Sequence, residues 1–283
     1  MTNTIPSKAF THSGIFHADD VFGAALLRLL NPNLELTRGT AVPEGYDGIA
    51  FDIGDGRYDH HGKQKKVRSN GKPYAAFGLL WRDFGTHLLD EEDAAALEHE
   101  LVEPIDIADN GGTPCLLTRL VSDFNPYLPA TTEDFDAAFE DATTWALGIL
   151  SRRIDSMRRV RESRDEVREC MAACDGRVLV LTRYVPWKPF VIGSGYLYVI
   201  SESPRGGYNV LCVPKSIDSR ESVLPFPHAW RGQPAEVLHT ITGICGFTFC
   251  HVAGFLCAAE TLEAAKQIAD LAISEGKDFA YDK

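Results

Sequence analysis

The 283-residue sequence lacks any apolar run long enough to span a membrane, and so predicts no membrane partner. Met1 to Lys8 is short and polar, without the apolar core of a secretory leader or an arginine-rich amphipathic pattern; a cytoplasmic protein is expected. There is no internal repeat and no low-complexity segment. A basic surplus is also missing. The net charge of −12 excludes a histone-like surface but leaves room for a nucleic acid held by a local basic patch and metal ions. The seven cysteines are odd in number and contain no Cys-x-x-Cys pair, so reduced core thiols are expected. A zinc set of Cys245, Cys250 and His251 is a weak reading, because no second ligand pair with matching spacing follows it.

What is present is a concentration of histidine and aspartate near the start. Thr11-His12-Ser13-Gly14-Ile15-Phe16-His17-Ala18-Asp19-Asp20 is followed by the run Ile49–Ile53, which contains Asp52, and then by Tyr58-Asp59-His60-His61. Four histidines and several aspartates thus fall within fifty residues. Residues 1–130 hold 11 basic and 19 acidic groups, net −8, whereas 131–174 carry −3 and 175–283 carry −1. The acid excess lies where a multi-carboxylate metal site would need it.

The pattern along the chain predicts how these residues are placed. Ala9 to Thr11 ends a first strand, and Val21 to Leu30 is a helix stopped by Asn31-Pro32. Leu34 to Thr37 and Ile49 to Ile53 read as further strands. A strand–helix–strand order implies a parallel sheet, whose ligands gather at the carboxyl ends of the strands. His12 and Asp52 both stand at such ends. Tyr74 to Leu89 and Glu91 to Val102 read as helices, while Val102 to Gly112, with Asp106 and Asp109 before glycines, reads as turn chemistry. Glu133 to Leu150 is helical, and Ser151 to Arg168 carries seven arginines among acidic partners, as a solvated connecting helix would. Arg177 to Thr182, Leu197 to Ser201, Tyr208 to Val213 and Phe247 to Cys250 are strands of a second sheet. Ala235 to Thr240 and Leu262 to Ile273 are its helices. The expected fold is α/β: a parallel-sheet domain with helices on both faces over residues 1–150, a helical linker over 151–174, and a smaller α/β domain over 175–283 that binds substrate.

Carboxylates mixed with imidazoles suit manganese, iron or zinc better than the all-oxygen surroundings that magnesium favours. Two such ions can clamp a phosphoryl group and activate a water for in-line attack. Asp19, Asp52 and Asp109 each also read as caps or turn residues. That reading leaves unexplained why four histidines stand at the polar ends of adjacent elements. The loop after His61 holds Lys63, Lys65, Lys66, Arg68 and Lys72, which reads either as a solvated loop or as an anion-binding rim. Arg205 and Trp230-Arg231-Gly232 read either as surface turns or as phosphate and base contacts.

The series His12-x4-His17-x-Asp19, Asp52, Asp59-His60-His61 and Asp109 resembles the motifs of the DHH phosphoesterase superfamily. More closely, it resembles the melanocyte proliferating gene protein family. The stretches that carry this closer resemblance are the first cluster, Arg57 to His61, Ile105 to Gly111, Trp230-Arg231-Gly232 and Gly246 to His251. It covers nearly the whole chain and implies a 3′-to-5′ exonuclease of RNA or short oligonucleotides. The centre it implies is dinuclear, most often with manganese, and magnesium, iron and zinc are alternatives. By motif, His12, His17, Asp19, Asp52, His60 and Asp109 would be metal ligands, with Asp106 competing for the last place. Asp52 would bridge the ions. Asp59 would orient a neighbouring histidine, and His61 would face the scissile phosphate. Lys63, Lys65, Arg205, Arg231 and His251 would contact substrate. The first motif departs from the superfamily's His-x3-Asp-x-Asp: His17 takes an aspartate position after one extra spacer. The triple-glycine-His motif is replaced by Gly243, Gly246, His251 and Gly254. A phosphatase of a small molecule (pyrophosphate, a nucleotide or a cyclic dinucleotide) and a catalytically silent RNA-binding module are the rival readings. The oligomeric state is left open, with a homodimer as one option.

Overall fold

In the computed structural model, residues 4–62 and 65–278 are described. The chain divides into two compact units, Met1–Arg158 and Arg159–Lys283.

In the first unit β1 (Lys8–His12) is central, flanked by β2 (Glu35–Gly39) and β3 (Ile49–Ala50), all parallel. The buried Ala9, Phe10 and Thr11 explain why β1 is central. Strand β3 is shorter than its apolar run because the backbone turns at once. Phe51 makes one bridge to Tyr58, and Asp52 adopts φ 57° in the left-handed region. Aspartate tolerates that region better than most side chains do. Helix α1 (Ala18–Leu30) follows the first cluster and buries nearly its whole length, Ala18 through Leu27. It packs with α2 (Ala76–Phe84) in a core that includes Phe16, Phe22, Phe51, Phe77 and Trp81.

Helix α3 (Glu91–Leu97) passes through one π turn over Glu98–Val102 into α4 (Glu103–Asp109), so the stretch read as turn chemistry is helical as far as Asp109 and turns only at Asn110-Gly111-Gly112. Pro104, which has no amide N–H to pair, stands in the first turn of α4 directly after the π turn, where the Glu103 amide still donates to the Glu98 carbonyl. Asp109 is the last residue of that helix rather than part of a loop. Helix α5 (Leu116–Ser122) comes next, then α6 (Thr132–Ala173), a single helix of 42 residues. The sequence divides α6 into a packed half and an arginine-bearing half, because its apolar period fades although the helix continues. Phe139, Ala142, Ala146 and Leu150 belong to the core of the first unit.

The second unit carries β4 (Val178–Val180), α7 (Lys188–Val191), β5 (Tyr198–Glu202), β6 (Tyr208–Cys212), α8 (Ala235–Thr242), β7 (Phe247–Cys250), β8 (Leu256–Ala259) and α9 (Leu262–Asp278). The sheet order is β4-β5-β6-β8-β7, parallel between β4 and β5 and antiparallel elsewhere. Strand β8 is the one strand missed from sequence, since Leu256-Cys257-Ala258-Ala259 is short and alanine-rich. Its pairing with β6 and β7 closes the sheet over a core holding Tyr198, Phe226, Trp230 and Phe247. All seven cysteines are free thiols. Among the described residues no helix is long and apolar enough to cross a membrane.

Candidate metal centre

The centre is built where β1 and β3 end and α1 begins. His12 is the last residue of β1, and His17 precedes the first turn of α1. The loop between them is held from two sides. Asn125 accepts from the Phe16 amide at 3.1 Å and donates to the Phe16 carbonyl at 2.9 Å. Arg38 donates to the carbonyls of His12 at 3.1 Å and Gly14 at 2.9 Å, and its guanidinium lies 4.2 Å from the Phe139 ring centroid. Both clamps act through fixed donors and acceptors, so the two histidines project from a rigid turn.

Asp52 receives two imidazoles from different segments. His12 Nε2 is 3.2 Å from Asp52 Oδ2 and 2.9 Å from Asp20 Oδ2. His60 Nε2 is 3.1 Å from Asp52 Oδ1, 3.1 Å from Asp109 Oδ2 and 3.7 Å from Asp19 Oδ2. His17 Nδ1 is 3.7 Å from Asp109 Oδ1. All six residues assigned to metal by motif therefore converge. Three donor groups overlap in this space: His12, Asp20 and Asp52; Asp52, His60 and His61; and His17, Asp19 and Asp109. Asp20 was not assigned from sequence. Its signal was its place beside Asp19 in the first turn of a helix, which reads equally well as capping; its Oδ1 does accept from the His17 amide at 3.0 Å. Asp106, the competitor of Asp109, points elsewhere. Its carboxylate accepts from Arg68 at 2.6 Å and from the Gly78 amide at 3.0 Å.

The electrostatics show a cation-seeking pocket. Burial pushes Asp19 well above the usual carboxylate range, and the charges of Asp52, Asp109 and Asp20 push it further. Burial also raises Asp20, against the pull of His12. Burial opposes charge on His12, yet the Asp20 and Asp52 carboxylates hold its imidazolium up to about 10. Burial would raise Asp52 too, but His12 and His60 bring it down to about 2. His60 is raised in the same way, with Asp52 outweighing burial. Despite the short approaches, Asp19 Oδ1, Asp20 Oδ2, Asp52 Oδ1 and His60 Nε2 are buried without an aligned hydrogen-bond partner. Buried polar atoms are ordinarily satisfied. Four orphaned donor atoms from carboxylates and an imidazole, gathered in one acidic space, fit divalent cations.

Asp59 stands outside the ligand groups. Burial would raise it, but the His61 amide at 3.0 Å, the His61 ring Nδ1 at 2.9 Å and the Asp55 amide at 2.7 Å lower it. It therefore orients His61, whose side chain is 61 % exposed, rather than His60. Lys66 braces the same loop, donating to the carbonyls of Gly56, Arg57 and Asp59. That use, and the burial of Arg68 between Asp106 and Glu98, take two cations away from the expected anion-binding rim. Lys65 is exposed, and Lys63 lies outside the described residues.

In the second unit Arg205 is exposed at the tip of the β5–β6 hairpin. Arg231 is committed internally, donating through Nε and Nη2 to the Phe226 carbonyl at 2.9 and 2.7 Å. His251 accepts from the Ala253 amide at 3.0 Å through Nδ1, and its ring centroid is 4.4 Å from that of Phe255. Among the described residues, Cys245, Cys250 and His251 form no metal-ligating group. Cys250 instead faces Cys257 across the β7–β8 pair.

A parallel-sheet α/β unit with histidines and aspartates gathered beyond its strand ends defines a candidate metal-binding protein. Comparison with known sequences names the family. The profile described as "Uncharacterised protein family (UPF0160)", titled MYG1_exonuc, matches residues 8–273, and the chain belongs to that family. A human protein named MYG1 exonuclease is 30% identical over 326 aligned residues, covering 95% of this chain and 86% of that protein. A rat protein of the same name is 30% identical, covering 95% and 85%. A Chlamydia muridarum protein named MYG1 protein is 27% identical over 292 residues, covering 96% and 98%. No solved structure matches.

Proposed function

We propose that this chain is a metal-dependent phosphodiesterase of the DHH type that removes nucleotides from one end of RNA or short oligonucleotides, in the 3′-to-5′ direction. The observation that carries the reading is the set of buried, unpartnered donor atoms on Asp19, Asp20, Asp52 and His60. The names of the human and rat relatives support a nucleic-acid substrate.

His12, His17, Asp19, Asp52, His60 and Asp109, with Asp20 added, would hold two divalent ions, manganese by preference. Bound ions supply Lewis acidity toward a phosphate and lower the pKa of an attacking water. The rest falls to the chain's own side chains. Asp52 offers one oxygen toward His12 and the other toward His60, the disposition a bridging carboxylate requires. Asp59 fixes the ring of His61 through Nδ1, leaving Nε2 to meet a phosphate oxygen or the leaving group. Lys65 and Arg205, both exposed, are the cations assigned to the nucleic-acid backbone. Arg231 and His251 shape the second unit, which we assign to substrate binding.

The test is a panel of end-labelled RNA, end-labelled DNA, dinucleotides and pyrophosphate with Mn²⁺. Stepwise shortening of RNA, absent with EDTA, is expected. Hydrolysis of pyrophosphate alone would replace the reading with a small-molecule phosphatase. Binding of RNA with no hydrolysis of any member would replace it with a silent binding module.

A further inference from the structure

A cavity of about 350 Å³ opens beside the metal centre within the first unit. Two of the residues lining it, His17 and Asp109, belong to one donor group of that centre. The volume is that of a small-ligand site. Its accessible apolar surface includes Ala108 and Pro114, whereas Phe16 and Ile105 are fully buried. Another part of the wall comes from α5, which contributes Thr118, Arg119 and Ser122. These positions are spaced by one, three and four residues, so they share one helix face.

Arg119 is the telling residue. It is exposed, and its guanidinium makes no ion pair or hydrogen bond among the described residues. This contrasts with Arg38 and Arg68, whose guanidinium groups are committed to protein oxygens. An arginine left free on the wall of an otherwise acidic site is suited to an anionic ligand group. The apolar surface of Ala108 and Pro114 in the same cavity is suited to a planar, weakly polar body.

We propose that this cavity holds the terminal nucleotide of the substrate, with its base against Ala108 and Pro114 and its phosphate held by Arg119. The proposal rests on the phosphodiesterase reading of the metal centre: a phosphate at His17 and Asp109 would place its nucleoside beside this cavity, which both residues line. The cavity would also set how much of the chain end is cut off, since it accommodates one nucleotide unit. Arg119 is a binding residue in this account.

Calorimetric titration of the Mn²⁺-loaded protein with AMP, adenosine and inorganic phosphate tests it. Wild-type protein is expected to bind AMP at least tenfold more tightly than phosphate. Ser122→Trp, which fills the cavity from an exposed position at the end of α5, is expected to remove that advantage and leave phosphate binding unchanged. Arg119→Ala should weaken AMP about tenfold and adenosine hardly at all, and Arg119→Lys should recover part of the loss. In RNA hydrolysis, Arg119→Ala should raise KM more than it lowers kcat. AMP binding no tighter than phosphate, or unchanged by Ser122→Trp, would overturn the proposal. The nucleotide preference is read without turnover. A protein that binds AMP this way but cuts no phosphodiester would therefore keep the cavity and lose the enzymatic reading.

Discussion

His60 Nε2 lies 3.1 Å from an oxygen of Asp109, joining the loop after β3 to the last turn of α4. Because His60 also reaches Asp52 and Asp19, removing it takes away a donor that approaches three carboxylates of the centre. His60→Ala is therefore expected to lower bound Mn²⁺ by at least one ion per chain, read by elemental analysis after dialysis. Hydrolysis should fall to background. Full metal content in the variant would mean that His60 is not a ligand.

Metal binding should release protons. Without an ion, the Asp20 and Asp52 carboxylates hold His12 in its charged form up to about 10, and a cation must displace that proton. Mn²⁺ affinity should rise between pH 7 and pH 9, with proton release visible as buffer-dependent heats. The metal-free fold shows the opposite trend. His12 is raised above its unfolded value of 6.5, so its contribution is complete below that pH and is lost as the pH approaches 10. The melting temperature of metal-free protein should fall across that window, and added Mn²⁺ should offset the fall.

Lys66 gives all its donors to the loop that presents Asp59, His60 and His61. Lys66→Ala should loosen that loop and weaken Mn²⁺ binding by about tenfold, the usual cost of losing support behind a ligand. Because Lys66 is only half-buried, the melting temperature should change little. A variant with unchanged metal affinity would show that the loop stands without the brace.

Gly78 packs so closely on the Asp106–Arg68 pair that a Cβ there would overlap both side chains. Asp106 is held in place by hydrogen bonds from Arg68 at 2.6 Å and from the Gly78 amide at 3.0 Å, so the pair has little room to readjust. Gly78→Ala is expected to cost about 1–3 kcal/mol by overpacking, seen as a lower melting temperature. Equal stability would mean that the helix shifts freely.

Much of this was legible in the sequence because the chemistry lies in contiguous words. His12, His17 and Asp19 share one motif, Asp59 to His61 another, and both sit where strand patterns stop. The family resemblance read from those motifs agrees with the family the chain belongs to. What stayed hidden depends on side-chain direction. Asp20 looks like a capping residue, and only the turn of α1 shows its second oxygen facing His12. Asp106 and Asp109 are three residues apart on the same side of α4, so spacing does not separate them; only their surroundings do, one meeting Arg68 and the other His60. Lys66 and Arg68 read as a solvated basic rim, because sequence does not show which cations find internal carbonyls and carboxylates. Glu91 to Val102 reads as a helix, but its continuation into α4 was hidden by Pro104 and by the glycines after Asp109.

The central claim is that these side chains form a two-ion centre. Diffraction from crystals grown with Mn²⁺, measured at the manganese edge, tests it directly. The account predicts two anomalous peaks inside the space bounded by His12, His17, Asp19, Asp20, Asp52, His60 and Asp109, with Asp52 touching both. A crystal soaked in Mn²⁺ with no peak in that space, or with its only peaks on surface carboxylates, would contradict it.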